Sequence, residues 1–550
     1  MILSKAKHIY KAFKPELLLL AAFLFYGFWL IFRTSFVIDG IRYWCLFDDS
    51  MISMAYAKNL VSGLGLNWAR FGNPVEGYTH PLWVLIMIII HLLPFKETTA
   101  SLPIQLISLS FLVLNLYFVG KITKKYFASG SRYAYFPAVI LTAAYFPLNL
   151  WALRGMETGL QALLVTSSIY YLLAAMKDLK NNYIVLAVLQ SLGLLLRMDM
   201  VILVVVINIF LFVHFFGKKK ELLQYLIIIF LPSLVYELFR IAYFHDIWPN
   251  TYYLKIFQMP LISRLLSGSI SFINFINIFP IILLLIIYYV AIHRNNVAVQ
   301  VIGSVVTGFF LYSIYVGGDV WENVGIVANR FTAFVMPLIF ILTNALLIDF
   351  TNVKNLVGRF KTQIILFATI FLVLLFNSLW NFKDFNIYST QAQMFLGITK
   401  PYGSPGQKEV IIQTLNLNKL FSENAKVAVT QAGVTAYFGK FKLIDLFGYN
   451  DSYVAKLPPA AKPDANDTGY LPGHSKYDFK HSVKDLSPDV LMHFDFSEDI
   501  KAQVASYGYE KIGPVFVKAT TTEADLQRLR LCLLASIQWN PQCDLPQASL

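Results

Sequence analysis

Charged residues are scarce in this chain: they fill 14% of its 550 positions, against 57% hydrophobic residues. A water-soluble chain of this length would need far more polar surface to cover its core, so a soluble globular protein is excluded. Acidic residues are the scarcer charge, 32 against 45 Lys and Arg, which leaves a formal net charge of +13. Cysteine is nearly absent, with only Cys45, Cys532 and Cys543. Their spacing does not suit a metal site, and only the last pair lies where oxidation can form a disulfide. The chain also lacks a fixed-period repeat, a heptad array and a low-complexity tract, which excludes solenoids and coiled coils. No small-residue cleavage site follows the first apolar run, so ELLLLAAFLFYGFWLIF reads as an uncleaved first span and not a signal peptide.

What the chain has instead is apolar runs of about 16 to 22 residues, close to the ~20 that a helix needs to cross ~30 Å of hydrocarbon. Candidate spans fall near 16–37, 102–121, 133–151, 158–176, 182–196, 199–217, 222–243, 271–292, 298–316, 331–350 and 362–381. With Lys5, Lys7, Lys11 and Lys14 in the cytoplasm, the inside loops become 121–132, 176–180, 217–220, 293–294 and 353–361, and every one is basic. That is the positive-inside pattern, and it accounts for the net charge without a nucleic-acid partner. The assignment requires that PLWVLIMIIIHLLPF (81–95), short for a span, does not cross. The expected product is a polytopic α-helical membrane protein of about eleven spans, with a cytoplasmic N-terminus and a first outer loop at 38–101. Its membrane domain covers 1–382.

From 383 to 550 the long apolar runs vanish and turns rich in Pro, Gly, Asn and Asp appear. Short strand-like runs, KVAVT, KLIDLFG and DVLMHF, alternate with helical stretches such as EVIIQTLNLNKLF. This reads as a soluble α/β domain on the outer, periplasmic face. The sequon Asn466-Asp467-Thr468 is short enough to arise by chance.

The unusual polar residues all gather at the expected outer ends of the spans. They are Asp48 and Asp49, Glu76 and His80, Arg154 and Glu157, Arg197 and Asp199, Asp246 to Lys255, Asp319 and Arg330. An ionisable group at membrane depth is costly unless paired or hydrated, and points to a site; any single one also fits a loop residue snorkelling to the interface. Neighbouring helical side chains diverge by ~100°, so Asp48 and Asp49 can face one group together only on irregular backbone. One carboxylate would then accept a proton from an attacking hydroxyl while the other orients it or binds a divalent cation. Equally, either aspartate fits as the N-cap of the following helix. Arg197, Arg330 and Lys255 suit an anionic phosphate at the membrane surface, while RMDM and RGMET also suit internal ion pairs.

The stretch FDDSMISMAYAKNLVSGLGLNW, followed by NPVEGYTHPLW (73–83), resembles the first outer loop of the membrane glycosyltransferases of GT-C fold. In particular it is similar to the terminal β-arabinofuranosyltransferases and their bacterial relatives. Further matches run in the same order: RGMET (154–158), LLRMD (195–199), RIAYFHDIWPNTYYLK (240–255), VGGDVWENVGIVANRF (316–331), TQAGVTAYFGKFKLIDLFGYND (430–451) and PGHSK (472–476). The resemblance implies an enzyme, multi-pass in a bacterial cytoplasmic (inner) membrane, that takes a sugar, arabinofuranose in the named members, from a polyprenyl-phosphate donor to a glycan or glycolipid acceptor outside that membrane. It carries a catalytic role onto Asp48 and Asp49, and phosphate recognition onto Arg197, Lys255 and Arg330. Substrate contacts are expected from Glu76, His80, Arg154, Glu157, Asp199, Asn250, Asp319 and His474; Asp445 also matches a family position. If a divalent cation (Mg, Mn or Ca) takes part, Asp48, Asp49 and Glu157 are the expected oxygen donors. Met54 and His80 stand where the family often has Arg and Asn, so contacts on the acceptor side differ. The competing reading is a lipid or glycolipid transporter, which calls for midplane charges and symmetry between two halves, neither visible here.

Overall fold

A computed structural model describes residues 15–128, 133–215, 217–278, 280–323, 329–353, 358–377, 390–401, 403–460, 471–494 and 496–519. Cys532, Cys543, the sequon and the N-terminal lysines lie outside these. The described part is a helical membrane bundle carrying a C-terminal α/β domain. Among the described residues, six helices are long and apolar enough to cross a membrane: Pro15–Thr34, Ser101–Tyr126, Thr158–Ala175, Met198–Phe215, Lys219–Phe244 and Val297–Val316. Two bent pairs and the shorter apolar helices Asn182–Leu196, Met336–Phe350 and Ile364–Leu375 coincide with the other expected spans. The segment around 81–95 forms only the 11-residue helix Pro81–His91, too short to span at 1.5 Å per residue. It packs on the helix Asp48–Val61 instead.

The bend that aims one part of the site has a visible cause. The helices Phe136–Ala144 and Phe146–Leu153 meet at 53° across Tyr145, whose ψ of 97° is extended, and Pro147 follows. Asn377 satisfies the backbone groups that the break frees: its Oδ1 accepts the Phe146 N–H at 2.7 Å and its Nδ2 donates to the Ala144 carbonyl at 2.8 Å. A neighbouring helix thus supplies what the lipid cannot, and the second half-helix delivers Arg154 and Glu157 to the end of the bundle.

The first outer loop begins with the hairpin β1 (Phe36–Ile38) and β2 (Ile41–Tyr43). Asp39 and Gly40 form its turn with φ of 49° and 73°, the positive values that a two-residue hairpin requires. In the C-terminal domain, β3 (Lys426–Val429), β4 (Lys442–Asp445), β5 (Val490–Met492), β6 (Tyr509–Ile512) and β7 (Val515–Lys518) form one sheet in the order β4-β3-β5-β7-β6. β3 runs parallel to β4 and β5, and the remaining pairs are antiparallel. The period-2 alternation of strands divides the sheet's two faces. Val427 and Val429 bury with Ile52, Tyr56 and Trp68 of the outer loop, while Ala428 and Ile444 bury with Phe479 and Phe516 on the far side. The domain is therefore seated on the outer loop by its own core face.

Candidate active site

The acid pair opens the helix Asp48–Val61 on regular helical backbone, with Phe47 as an extended N-cap that uses no side-chain bond. Both carboxylates lie in the first turn, where the helix dipole favours negative charge. Being successive, they part. Asp48 turns to the C-terminal domain: its Oδ2 accepts the Gly433 N–H at 3.1 Å and its Oδ1 the Val434 N–H at 2.8 Å. It thereby caps the helix Val434–Phe438, not its own, which corrects both the irregular backbone and the local cap expected from sequence. A Cβ added at Gly433 would overlap the Asp48 carbonyl oxygen, so this approach needs glycine. Burial, with Asp49 adjacent, pushes the Asp48 carboxyl up to about 6 against the pull of the two N–H donors.

Asp49 turns the other way and is the more open of the two, its side chain 32% exposed. Its Oδ2 accepts from Arg330 Nη1 at 2.5 Å. Behind, Asp319 grips the same guanidinium from Nε at 2.8 Å and Nη2 at 3.0 Å, and Trp151 lies 5.4 Å beneath it. Arg197 is held in the same manner. Its Nη1 donates to Glu157 Oε1 at 2.5 Å, and Nε and Nη2 donate to Asp199 Oδ2 at 3.0 and 2.8 Å. Each arginine is thus fixed by two carboxylates. Burial alone would raise the Glu157 carboxyl, but His80 and Arg197 outweigh it and hold it at about 2.

These groups face one cavity of about 260 Å³, lined by Asp49, Ser53, His80, Glu157, Arg197, Asp199, Lys255, Arg330 and Tyr449 among others. Lys255 lies over the Tyr449 ring at 5.7 Å, and burial with Arg330 nearby depresses its amine to about 8. Burial draws the His80 imidazole below its usual value while the Glu157 carboxylate pulls the other way; its Nε2 meets Ser53 Oγ at 2.7 Å and its Nδ1 lies 3.7 Å from Glu157 Oε2. A second cavity of about 530 Å³ adjoins, with Asp48, His474 and residues of the C-terminal domain in its wall. Asp49, Ile52 and Tyr449 line both cavities.

Four of the residues expected to touch substrate line neither cavity. Glu76 is spent on Arg240 Nε at 2.5 Å and the Tyr236 hydroxyl at 2.6 Å, which locks the outer loop to the end of Lys219–Phe244. Asn250 donates to the carbonyls of Gly448 and Tyr449 at 2.8 and 2.9 Å. Arg154 does not pair with Glu157; it is buried against Gln407 and donates to Ser404 Oγ at 3.2 Å. Asp319 acts through Arg330. Sequence reasoning missed Tyr449, whose only sign was the FGYND turn. Asp445 builds that turn, accepting N–H groups of Phe447, Gly448 and Asn450 at 3.0, 3.2 and 2.9 Å, and burial raises it to about 6. Lys476 was missed as a tether: its ammonium donates to the carbonyls of Tyr253, Phe257 and Ala455, each at 2.8 Å.

Asp48, Asp49 and Glu157 point to three separate partners and do not form an oxygen cage, and no group of three or more metal-ligating side chains occurs among the described residues. The donor set as it stands does not fit a divalent cation, and no step below passes through one.

The bundle, the outer-loop helix and the seated α/β domain define a multi-pass membrane protein of GT-C fold. The chain is similar to ArnT from Cupriavidus metallidurans bound to undecaprenyl phosphate, with a TM-score of 0.52 at 12% identity over 92% of this chain and 98% of that one. Against the apo state of the same protein the TM-score is 0.49 at the same identity and coverage. At this identity the likeness is one of fold. Residues 402–530 match a domain of unknown function, DUF8728. No curated protein matches the chain.

Proposed function

We propose that this protein is a glycosyltransferase that moves a sugar from a polyprenyl-phosphate donor to a hydroxyl of a cell-envelope glycan or other acceptor on the outer face of the cytoplasmic membrane. The observation that carries the reading is the Asp49–Arg330 pair at the rim of a cavity that also holds Arg197 and Lys255. The carboxylate bonds already described use three of the five N–H groups of each guanidinium, which leaves two for phosphate oxygens. The pyrophosphate-free leaving group needs no carboxylic acid to protonate it, because a phosphate ester anion departs readily once cations meet its charge. Lys255 and Arg330 crowd two cations together, an arrangement that an arriving phosphate relieves.

The acceptor hydroxyl oxygen then attacks the anomeric carbon. Its proton passes to Asp49, and the carbon–phosphate oxygen bond breaks with its electron pair going to polyprenyl phosphate. Asp48 takes no proton in this scheme: it positions the helix and the C-terminal domain. His80, Glu157 and Asp199 orient the donor from the cavity wall. The neighbour's bound undecaprenyl phosphate supports a lipid-linked donor, and the sequence resemblance makes arabinofuranose the first sugar to test. A screen of polyprenyl-phosphate sugars with purified protein, product linkage being read by NMR, tests the reading. Release of polyprenyl phosphate with a new glycosidic bond is expected; translocation of an intact glycolipid without bond exchange would refute it in favour of a transporter.

A further inference from the structure

From the second cavity we infer a separate acceptor site that takes the uncharged end of a saccharide, most of its wall being supplied by the chain beyond residue 382. The inference rests on the glycosyl-transfer reading. The position is the first argument. Among the described residues the two cavities share Asp49, Ile52 and Tyr449 and no other lining residue. A hydroxyl reaching out of the second cavity arrives beside the Asp49 carboxylate, while Lys255, Arg197 and Arg330 line the first cavity and not the second. With the donor phosphate held by those cations, this is the one junction where a base, an acceptor oxygen and an anomeric carbon can converge.

The chemistry of the wall decides the class of ligand. At about 530 Å³ it falls within the ~300–1,000 Å³ of small-molecule sites. Phe47 and Trp321 stand edge to face at 4.9 Å and both line it, an apolar corner for the C–H face of a sugar ring. Gln431, Tyr449 and His474 add polar groups to the lining. His474 spends Nδ1 on the Pro472 carbonyl at 3.3 Å, which directs attention to Nε2 as its remaining hydrogen-bonding atom. The charged groups are Asp48, Asp49 and Lys400, and among the described residues no arginine lines this cavity. A phosphorylated or uronic acceptor would meet two carboxylates and one exposed lysine. An uncharged polyol meets hydrogen-bonding groups and an aromatic corner. Thr430 to Ala432 and the segment around Gly403 to Gln407 belong to the C-terminal domain, so acceptor choice is set by that domain and donor choice by the membrane domain.

Two plugs at separate positions of the lining test this. A Cβ at Gly406 meets nothing within 4 Å, so Gly406→Phe grows into open space, and Gln431→Trp starts from an exposed position. In membranes that contain the native acceptor, both should cut glycosylated product about tenfold or more, in line with the ~10²-fold cost of a misplaced reactant. Both should leave the binding of undecaprenyl phosphate to the purified protein at the wild-type level. Product formation within threefold of wild type in both plugs overturns the inference, and so does loss of undecaprenyl phosphate binding, which would make the cavity part of the donor site. Charge reversal tests the class: Gln431→Lys and Gln431→Glu should slow transfer alike for an uncharged acceptor. A tenfold spread between them in either direction would establish an ionic acceptor instead. Wild-type protein that neither binds undecaprenyl phosphate nor releases it from any donor would sink the glycosyl-transfer reading itself, separately from these outcomes.

Discussion

Replacing each aspartate of the pair by asparagine, one at a time, separates two roles that the sequence leaves joined. Asp49→Asn is nearly isosteric and removes one carboxylate arm from Arg330, which keeps its two-pronged bond to Asp319. The Asp49 side chain is 32% exposed, so the lost pair should cost ~0.2–1 kcal/mol of stability. The lost base should cost about 10²–10⁴ in rate. Asp48→Asn has the opposite profile. Its carboxylate accepts two N–H groups, one on each oxygen; the amide keeps one acceptor and turns an NH₂ donor toward the other N–H. An orphaned buried donor costs ~1–3 kcal/mol, and relief of a partly buried charge works against that, leaving about 1 kcal/mol of lost stability. Loosened docking of the domain should slow product formation by about tenfold, the equivalent of ~1.4 kcal/mol. Thermal unfolding in detergent and rate of sugar transfer are measured on both variants. Asp49→Asn with a rate near wild type, or Asp48→Asn losing as much rate as Asp49→Asn without losing stability, would refute the assignment.

Three further outcomes follow from the same geometry. Lys255, depressed to about 8, is charged below that pH and neutral above it, so undecaprenyl phosphate should bind more weakly as pH rises through 8; Lys255→Gln should abolish that step, and an unchanged profile in the variant would remove Lys255 from phosphate recognition. Arg330→Gln strands the buried Asp319 and should cost ~3–5 kcal/mol by thermal unfolding, a loss that adding Asp319→Asn partly recovers; a double variant no more stable than the single one contradicts the pairing. Because Arg197, Arg330 and Lys255 supply the positive charge, transfer should survive chelation by EDTA, whereas a loss restored by Mg, Mn or Ca would reassign Asp49 and Glu157 to a cation.

Periodicity and charge placement made the bundle legible because they follow from the membrane alone: each apolar run must be a helix, and 81–95 is too short to cross. The strands β3, β4 and β5 were legible for a similar reason, as they fall within the short apolar runs 426–430, 442–448 and 489–494 between turns. The sequence also brought Asp49, Glu157, Arg197, Asp199, Lys255 and Arg330 to one end, since each closes or opens a span there. It could not show who pairs with whom. Arg154 and Glu157 look like partners at a spacing of three, yet the chain turns between them, with Gly155 at φ 88°, and sends Arg154 to Gln407 and Glu157 to Arg197. Glu76 looked like a substrate contact because the residue that neutralises it, Arg240, sits 164 positions away. The acid pair is the sharpest case. Adjacent carboxylates on a helix must diverge, so two of them at one mouth imply two different partners rather than one shared ligand. What the second partner is depends on Gly433, a residue whose only contribution is the absence of a side chain, and nothing in a sequence marks which backbone such a glycine will admit. The division of labour between Asp48 and Asp49 is therefore a property of how the two domains dock, and any relative that keeps both aspartates but carries a larger residue at the position of Gly433 should seat its C-terminal domain differently.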